Sequence, residues 1–521
     1  MFLRKLTLSG LWCLYRSEEL IFNSLMARKM SSKIGTASRK PPNILIQEDD
    51  NQQKAQRLIE RFERALEGQY VVYGISSSLL SNSKSWMDNI QLLVVHQNTS
   101  HLTNVLRDYL AVGGKLLNMS PDNEEDSYTN TIYQSYIRCS GDIEEETLKN
   151  ILRDKFGLKI TTDIQYLERS YSCGYLVTGE NKLSEFIRSR ASSDSSDTGS
   201  IIRQSEITLD FGPPHTQSEP SGSYIPVRPP TEVTPSFDSS LYLSHLVTKE
   251  LGRTLVYVPC MSSSMAVFQV KFVTFKTDSH LFLLIVQGRP LMEGLTVVPG
   301  RQMAGVGRGG NKWLSPPGCS MFSSQLSLGA NTWIGRRASL IQHLVALAHV
   351  EAVRSEPGYE EVDLRIKWPN DIYYGSKNKI GGVILKSSVF RDKIIVTVGA
   401  GINLNNQHPT VSMNQILREN GHEVLDQEVL LARTLNSLEK ILEKCSQGQF
   451  SEVESLYYRY WLHGGHQIRV RDKDSEQSVT VLGIDQFGFL RVRGSDDSVF
   501  SVMDDGNSFD MMQGLVKPKE R

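Results

Sequence analysis

A chain of 521 residues exceeds one ordinary core and implies roughly three domains. Lys and Arg total 57 against 58 Asp and Glu, a net charge of -1, which excludes the bulk electrostatic grip on nucleic acid that a strongly basic domain provides. No run of about 18 apolar residues offers a membrane span, and six scattered cysteines (Cys13, Cys139, Cys173, Cys260, Cys319, Cys445) form no C-x-x-C pair, which argues against a zinc site or a disulfide framework.

Residues 1–50 read as a leader. Its first forty residues carry eight basic side chains (Arg4, Lys5, Arg16, Arg28, Lys29, Lys33, Arg39, Lys40) and two acids, Glu18 and Glu19. Two readings stand: a mitochondrial transit peptide or a disordered basic tail. Residues 51–190 read as a first α/β region. Gln91–His96 predicts a strand, His101–Leu110 a helix and Lys115–Met119 a second strand after Gly113-Gly114, a βαβ rhythm. Leu148–Phe156 and Lys182–Arg190 predict helices. Residues 191–236 are rich in Ser, Asp and Pro and predict a disordered linker, because they offer little apolar surface to offset ordering entropy. Residues 237–463 alternate helical and strand patterns. Ser339–Arg354 predicts an apolar helix. Leu364–Lys367, Lys379–Ser387 and Lys393–Ala400 predict strands. Glu428–Lys444 repeats Leu431, Leu435, Leu438 and Leu442 at helical spacing. Residues 464–521 predict about five short strands, a small barrel. The fold class is therefore α/β and α+β.

The chemistry concentrates in Arg301–Trp313. Gly305, Gly307, Gly309 and Gly310 bare the backbone, and Arg308 carries a planar fork suited to phosphate or carboxylate. No Asp or Glu occurs between Glu293 and Glu351, while Arg301, Arg308, Lys312, Arg336 and Arg337 are basic. A phosphate-bearing ligand fits there; a mobile surface loop is the alternative. Gly305 to Gly310 satisfies G-x-G-x-x-G, yet no acid follows about 20 residues on and Pro316-Pro317 spoils the helix opening, so a dinucleotide fold is excluded. Gly310-Asn311-Lys312-Trp313 is not a Walker loop. Lys367 closes a strand before a Trp368-Pro369 turn and offers a compact charge to two anionic groups. Asn370 and Asp371 either orient a ligand or metal or cap the turn. Gly381-Gly382 and Gly399-Ala400-Gly401 place glycine inside strands, where a ligand or backbone comes close. His463-Gly464-Gly465-His466 lacks a third metal ligand and reads as an interdomain loop.

Gly307-Arg308-Gly309-Gly310-Asn311 with Trp313 and Ser315-Pro316, then Lys367-Trp368-Pro369-Asn370-Asp371-Ile372-Tyr373-Tyr374, then Lys379-Ile380-Gly381-Gly382-Val383, resembles the biotin protein ligases of the eukaryotic, holocarboxylase synthetase type. The resemblance covers about 237–521, including Asp505–Met511, and more weakly 51–190, which is similar to a glutamine-amidotransferase-like domain without a nucleophilic cysteine. It implies a class II synthetase-like catalytic domain with a mixed sheet, a C-terminal SH3-like β-barrel and a non-catalytic N-terminal domain. It implies formation of biotinyl-5′-AMP from biotin and MgATP, with ATP, Mg²⁺ and biotin as ligands. Biotin then passes to a specific lysine of apo-carboxylase biotin-acceptor domains, of the acetyl-CoA, pyruvate, propionyl-CoA and methylcrotonyl-CoA carboxylase type. No membrane and no sequence-specific nucleic acid enter as partners. Cytoplasmic and mitochondrial location is expected.

Residue by residue, the resemblance assigns Lys367 to the biotin carboxylate and α-phosphate and Arg308 to the phosphate. Ser263, Ser264, Met265 and Gln302 fall on biotin, and Gly305, Val306, Gly307, Gly309 and Gly310 on the loop that closes over the adenylate. Gly382 falls in the ligand-facing glycine pair, while Trp313 and Asn403 fall near the nucleotide. Asp371 is a candidate general base. Val306 departs from the family, which carries Arg or Lys there; this predicts a faster leak of the adenylate, partly offset by Lys312. A lipoate-type ligase and a non-catalytic biotin-binding scaffold are the competing readings.

Overall fold

The computed structural model describes residues 43–48, 52–67, 69–82, 86–87, 90–96, 100–119, 135–139, 143–158, 160, 170–178, 201–203, 206–212, 217–229, 234–269, 271–276, 281–287, 295–308, 311–406, 411–471, 476–503, 507–510 and 515–518. Residues 1–42 of the expected leader, the expected helix at Lys182–Arg190 and the glycines Gly309 and Gly310 lie outside the described residues, as do parts of Asp505–Met511, whereas residues 43–48, expected in the leader, form a strand of the first sheet.

The first sheet contains β1 (Asn43–Glu48), β2 (Val71–Ser76), β3 (Leu92–Val95), β4 (Leu116–Asn118) and β5 (Tyr136–Arg138). Its order is β2-β1-β3-β4-β5 and every pairing is parallel. Alternate side chains serve opposite faces. Ile44 and Ile46 join Phe62 and Leu66 of the chain around α1 (Gln52–Ala65), while Leu45, Leu93 and Val95 join Leu106 and Tyr109 of α2 (Thr103–Ala111). Both faces are covered, as a parallel sheet requires. The expected strand, helix and strand at 91–119 are present here.

The second sheet has eleven strands: β6 (Gly174–Thr178), β7 (Ile201–Arg203), β8 (Thr208–Asp210), β9 (Tyr224–Arg228), β10 (Thr254–Met261), β13 (Leu295–Gln302), β14 (Cys319–Gly329), β15 (Leu364–Lys367), β16 (Asp371–Tyr374), β17 (Asn378–Phe390) and β18 (Lys393–Asn403). A separate hairpin pairs β11 (Lys271–Lys276) with β12 (Leu281–Gln287). The order runs β15-β16-β17-β18-β14-β13-β10-β6-β9-β8-β7. The sheet is mixed: β10 and β13 are parallel, while β14, β17 and β18 form long antiparallel ladders.

Two expectations fail here. The stretch expected as a disordered linker supplies β7, β8 and β9, and β6, expected in the first region, pairs with β10. The cause is alternation hidden among Ser and Pro. Ile207 and Leu209, then Ile225 and Val227, recur at period two and are buried with Val256, Val258 and Leu295.

Helices α3 (Ile341–Arg354), α4 (Gln427–Ser446) and α5 (Phe450–Tyr460) pack into the large core of this sheet. Helix α3 is apolar nearly all round and buries 11 of its 14 residues. The last sheet holds β19 (Gln467–Arg471), β20 (Glu476–Ile484), β21 (Leu490–Gly494), β22 (Val499–Val502), β23 (Asn507–Asp510) and β24 (Leu515–Pro518), in the order β22-β21-β20-β19-β24-β23. It has six strands where about five were expected. The five described cysteines are unbridged. Among the described residues, no helix is long and apolar enough to cross a membrane.

Candidate functional site

Strand β13 ends at Gln302, and the chain then folds back on itself. Met303 N donates to Met261 O at 2.9 Å and Ala304 N to Ser262 O at 2.8 Å, which ties the loop base to the end of β10. Isolated bridges join Gln302 to Ser315 and Val306 to Lys312. Trp313 N donates to Gly305 O at 2.9 Å and Gly307 N to Asn311 O at 2.6 Å. The loop is therefore a narrow hairpin with its tip near Arg308.

Gln302 organises the floor beside it. Its Oε1 accepts from Ser264 N at 2.8 Å and Ser264 Oγ at 3.1 Å, and its Nε2 donates to Ser315 Oγ at 3.2 Å. Ser264 Oγ also bonds Ser323 Oγ at 2.8 Å. Ser263, Ser264 and Met265 are buried. The buried Ser263 hydroxyl and Trp313 indole N–H have no hydrogen-bond partner among the described residues. Buried polar groups are nearly always satisfied, so both suit a polar ligand.

On the opposite side, β15 ends at Lys367, whose Nζ donates to Tyr373 Oη at 3.1 Å and lies 4.8 Å from that ring's centroid. The adjoining turn is locked to β17: Val383 N donates to Asn370 O at 2.8 Å, and Asn370 Nδ2 to Val383 O at 2.7 Å. Asn370 thus holds the turn. Asp371 pairs with Lys379 at 2.7 Å, with Asp371 the better covered of the two.

These segments enclose a cavity of about 280 Å³. Ser263, Ser264, Met265, Gln302, Val306, Gly307, Arg308, Trp313, Lys367 and Gly382 line it, so ten of the residues that the resemblance assigns to ligand contact meet in one place. Gly305 does not line it but faces a neighbouring cleft of about 690 Å³. Asn403 is also absent from the wall: it is buried at the end of β18, where its Oδ1 accepts from Cys319 Sγ at 3.5 Å. The nucleotide role expected of Asn403 is thus not one of lining this cavity. Sequence reading missed Ser323 and Met321, since β14 carries no signal beyond an apolar strand, and missed the Asp371–Lys379 pair.

Four basic side chains, Arg308, Lys312, Lys367 and Lys379, line the cavity against one acid, Asp371. That charge suits an anion. Lys312, however, reaches outward to Glu63 of α1 at 2.5 Å. The compensation expected from Lys312 for the missing charge at Val306 therefore competes with an ion pair already made. Among the described residues, no cluster of three His, Cys, Asp or Glu forms a metal site. The one acid of the lining, Asp371, is engaged by Lys379, so a Mg²⁺ arriving with a nucleotide would share that carboxylate with the lysine.

Residues 277–403 match the model of the Biotin/lipoate A/B protein ligase family. The human biotin–protein ligase is 34% identical over 334 residues, which covers 62% of this chain and 44% of that protein. The chloroplastic biotin–protein ligase 1 of Arabidopsis thaliana is 35% identical over 293 residues, covering 54% of this chain and 74% of the relative. Biotin–protein ligase 2 of the same plant is 34% identical over 293 residues, covering 54% and 83%. The match thus spans less than half of the human relative. Among solved structures, the biotin protein ligase of Aquifex aeolicus in complex with biotin and ATP is 20% identical with a TM-score of 0.35, covering 48% of this chain and 95% of that one.

Proposed function

Because the chain belongs to the biotin protein ligase family, we propose that it forms biotinyl-5′-AMP from biotin and MgATP and passes biotin to a lysine of an acceptor protein. The observation that carries this is the convergence of Arg308 and Lys367 on one cavity with Ser263, Ser264 and Trp313. A biotin carboxylate oxygen attacks the α-phosphorus, the new O–P bond forms, the α–β bridging bond breaks and pyrophosphate leaves. The protein aligns the two anions and stabilises developing charge. Lys367 offers its ammonium to the carboxylate and α-phosphate, and Arg308 its guanidinium to the phosphate. In the second step the neutral acceptor amine attacks the carboxyl carbon, an amide forms and AMP leaves with the C–O bond electrons. Asp371, already engaged by Lys379, is a poor base for that amine unless the pair opens.

The finer assignments belong to the same proposal. They are a class II synthetase-like catalytic domain at 237–463 whose sheet β6 to β9 extend, an SH3-like barrel at 464–521, an amidotransferase-like N-terminal domain without catalytic function and carboxylase biotin domains as acceptors. Mitochondrial residence rests on the basic composition of residues 1–40, and cytoplasmic residence on a form in which that segment does not act as an address.

The test is exchange of labelled pyrophosphate into ATP. We expect exchange that requires biotin, ignores lipoate and drops by about a hundredfold or more in Lys367→Ala, as loss of a charge acting on the transition state predicts. Exchange driven by lipoate favours the lipoate-type reading that the family description also covers. No exchange from folded protein favours a biotin-binding scaffold.

A further inference from the structure

Strand β15 is the edge of the eleven-stranded sheet, with β16 as its one sheet neighbour. Its last residue is Lys367, so an outer edge runs beside the lysine. That edge is covered by the segment between α5 and β19. Trp461 bridges Ile366 in parallel sense, and Leu462 N donates to Ile366 O at 3.0 Å. His463 comes next, wholly buried, and its Nε2 accepts the backbone N–H of Trp368 at 3.0 Å. The indole of Trp368 donates in turn to Gly488 O, in the turn before β21, at 3.0 Å. His463 O accepts from His466 N at 3.2 Å, and His466 O accepts from Val481 N of β20 at 2.9 Å. A continuous set of hydrogen bonds therefore runs from the last sheet to the residue that follows Lys367. His463 itself does not line the cavity.

We infer that His463 is a positioning residue for Lys367, and that through it and Trp368 the last sheet sets where the Lys367 ammonium sits. The inference rests on the ligase reading and deepens it. On its outer side β15 is tied at Ile366 by Leu462, one residue short of Lys367, and a shift of about 1 Å at a charge acting on a transition state costs on the order of a hundredfold in rate. His463 prevents it by offering an acceptor in a dry site, which requires a neutral ring with its proton on Nδ1. Burial favours the neutral ring, and the charges of Lys367 and His466 favour it further. The histidine pair His463–His466 thus serves as a tie between sheets, and its rings stand edge to face with centroids 6.3 Å apart.

The experiment uses the full chain and measures kcat and KM for biotin-dependent pyrophosphate exchange in His463→Ala, His463→Gln and Trp368→Phe. The expected result is a fall in kcat of about tenfold or more for His463→Ala, with KM for biotin and ATP within about threefold, because a misplaced charge affects the transition state rather than the ground-state contacts. His463→Gln recovers much of the loss through its amide oxygen. Trp368→Phe, which removes the bond to Gly488, also lowers kcat. In a Lys367→Ala background, His463→Ala brings no further fall, since it acts through that lysine. A His463→Ala kcat equal to the parent, a proportional rise of both KM values, or equal loss in Gln and Ala overturns the inference. If His463→Ala gives no cooperative melt, Trp368→Phe and His463→Gln decide, and parental kcat in Trp368→Phe overturns it. A parent without biotin-dependent exchange sinks the ligase reading and this inference together; an active parent matched by its His463 variants sinks this inference alone.

Discussion

Gly305 stands where the two arms of the loop cross. A Cβ built there overlaps Trp313 O and lies 2.7 Å from Ser315 Oγ. Close approach, rather than freedom of the backbone, is what this position demands. Backbone cannot yield as the end of a side chain can, so Gly305→Ala is expected to push the arms apart and free the Ser315 hydroxyl from Gln302. The expected readout is a KM for biotin raised by about tenfold, while overpacking at the crossing costs about 1–3 kcal/mol of stability. Steady-state kinetics and a thermal melt of the same variant check it. An unchanged KM would show that the arms tolerate separation. The glycine count made the loop visible in the sequence, but the crossing depends on Trp313 folding back beside Gly305, which no spacing rule reveals.

At the scale of elements, the loop hairpin leans on helix α1. Lys312 Nζ meets Glu63 in an ion pair whose side chains are 61% and 34% exposed, so screening leaves it little weight in stability. Its effect falls on where a charge points. Val306 sits across the hairpin from Lys312 and is 42% exposed. Glu63→Gln is expected to release Lys312 towards the cavity and slow dissociation of the adenylate, with Tm unchanged within about 2 °C. Val306→Lys is expected to slow dissociation as well, by restoring a cation at the loop. Trapping released adenylate over time checks both, and Val306→Lys releasing as fast as the parent would remove the leak hypothesis. The ion pair itself joins residues 249 positions apart and so leaves no trace in a linear reading.

For the molecule as a whole, two of the buried imidazoles among the described residues, His349 and His463, set a limit at acid pH. Burial pushes His349 of α3 down to about 4, against a weaker upward pull from its bond to Val345 O. His463 is pushed down to about 3, by burial first and then by Lys367 and His466. Both titrate near 6.5 once unfolded, so below that pH the unfolded chain binds more protons. Their contribution to stability is complete above about pH 6.5 and is lost as pH falls towards 4 for His349 and towards 3 for His463. Thermal melts from pH 7.5 to 4.5 should show a falling Tm, and His349→Leu should fall less steeply over that window. Equal slopes would place the acid sensitivity elsewhere.

Local pattern in the sequence was enough for the βαβ rhythm at 91–119, the apolar helix α3, the strands around Lys367 and the glycine-rich loop, because each is written in neighbouring residues at period two or 3.6. Arg308 and Lys367 stood out for the same reason, since both sit in short, unusual stretches. Tertiary structure alone decided that β6 to β9 extend the second sheet, because four alternating apolar residues gain burial only beside Val256 and Val258. It alone took Asn403 off the cavity wall, turned Lys312 to Glu63 and set His463 behind Trp368. Those outcomes depend on contacts between distant segments, whose energy arises only once the surfaces that hold them are dry and packed.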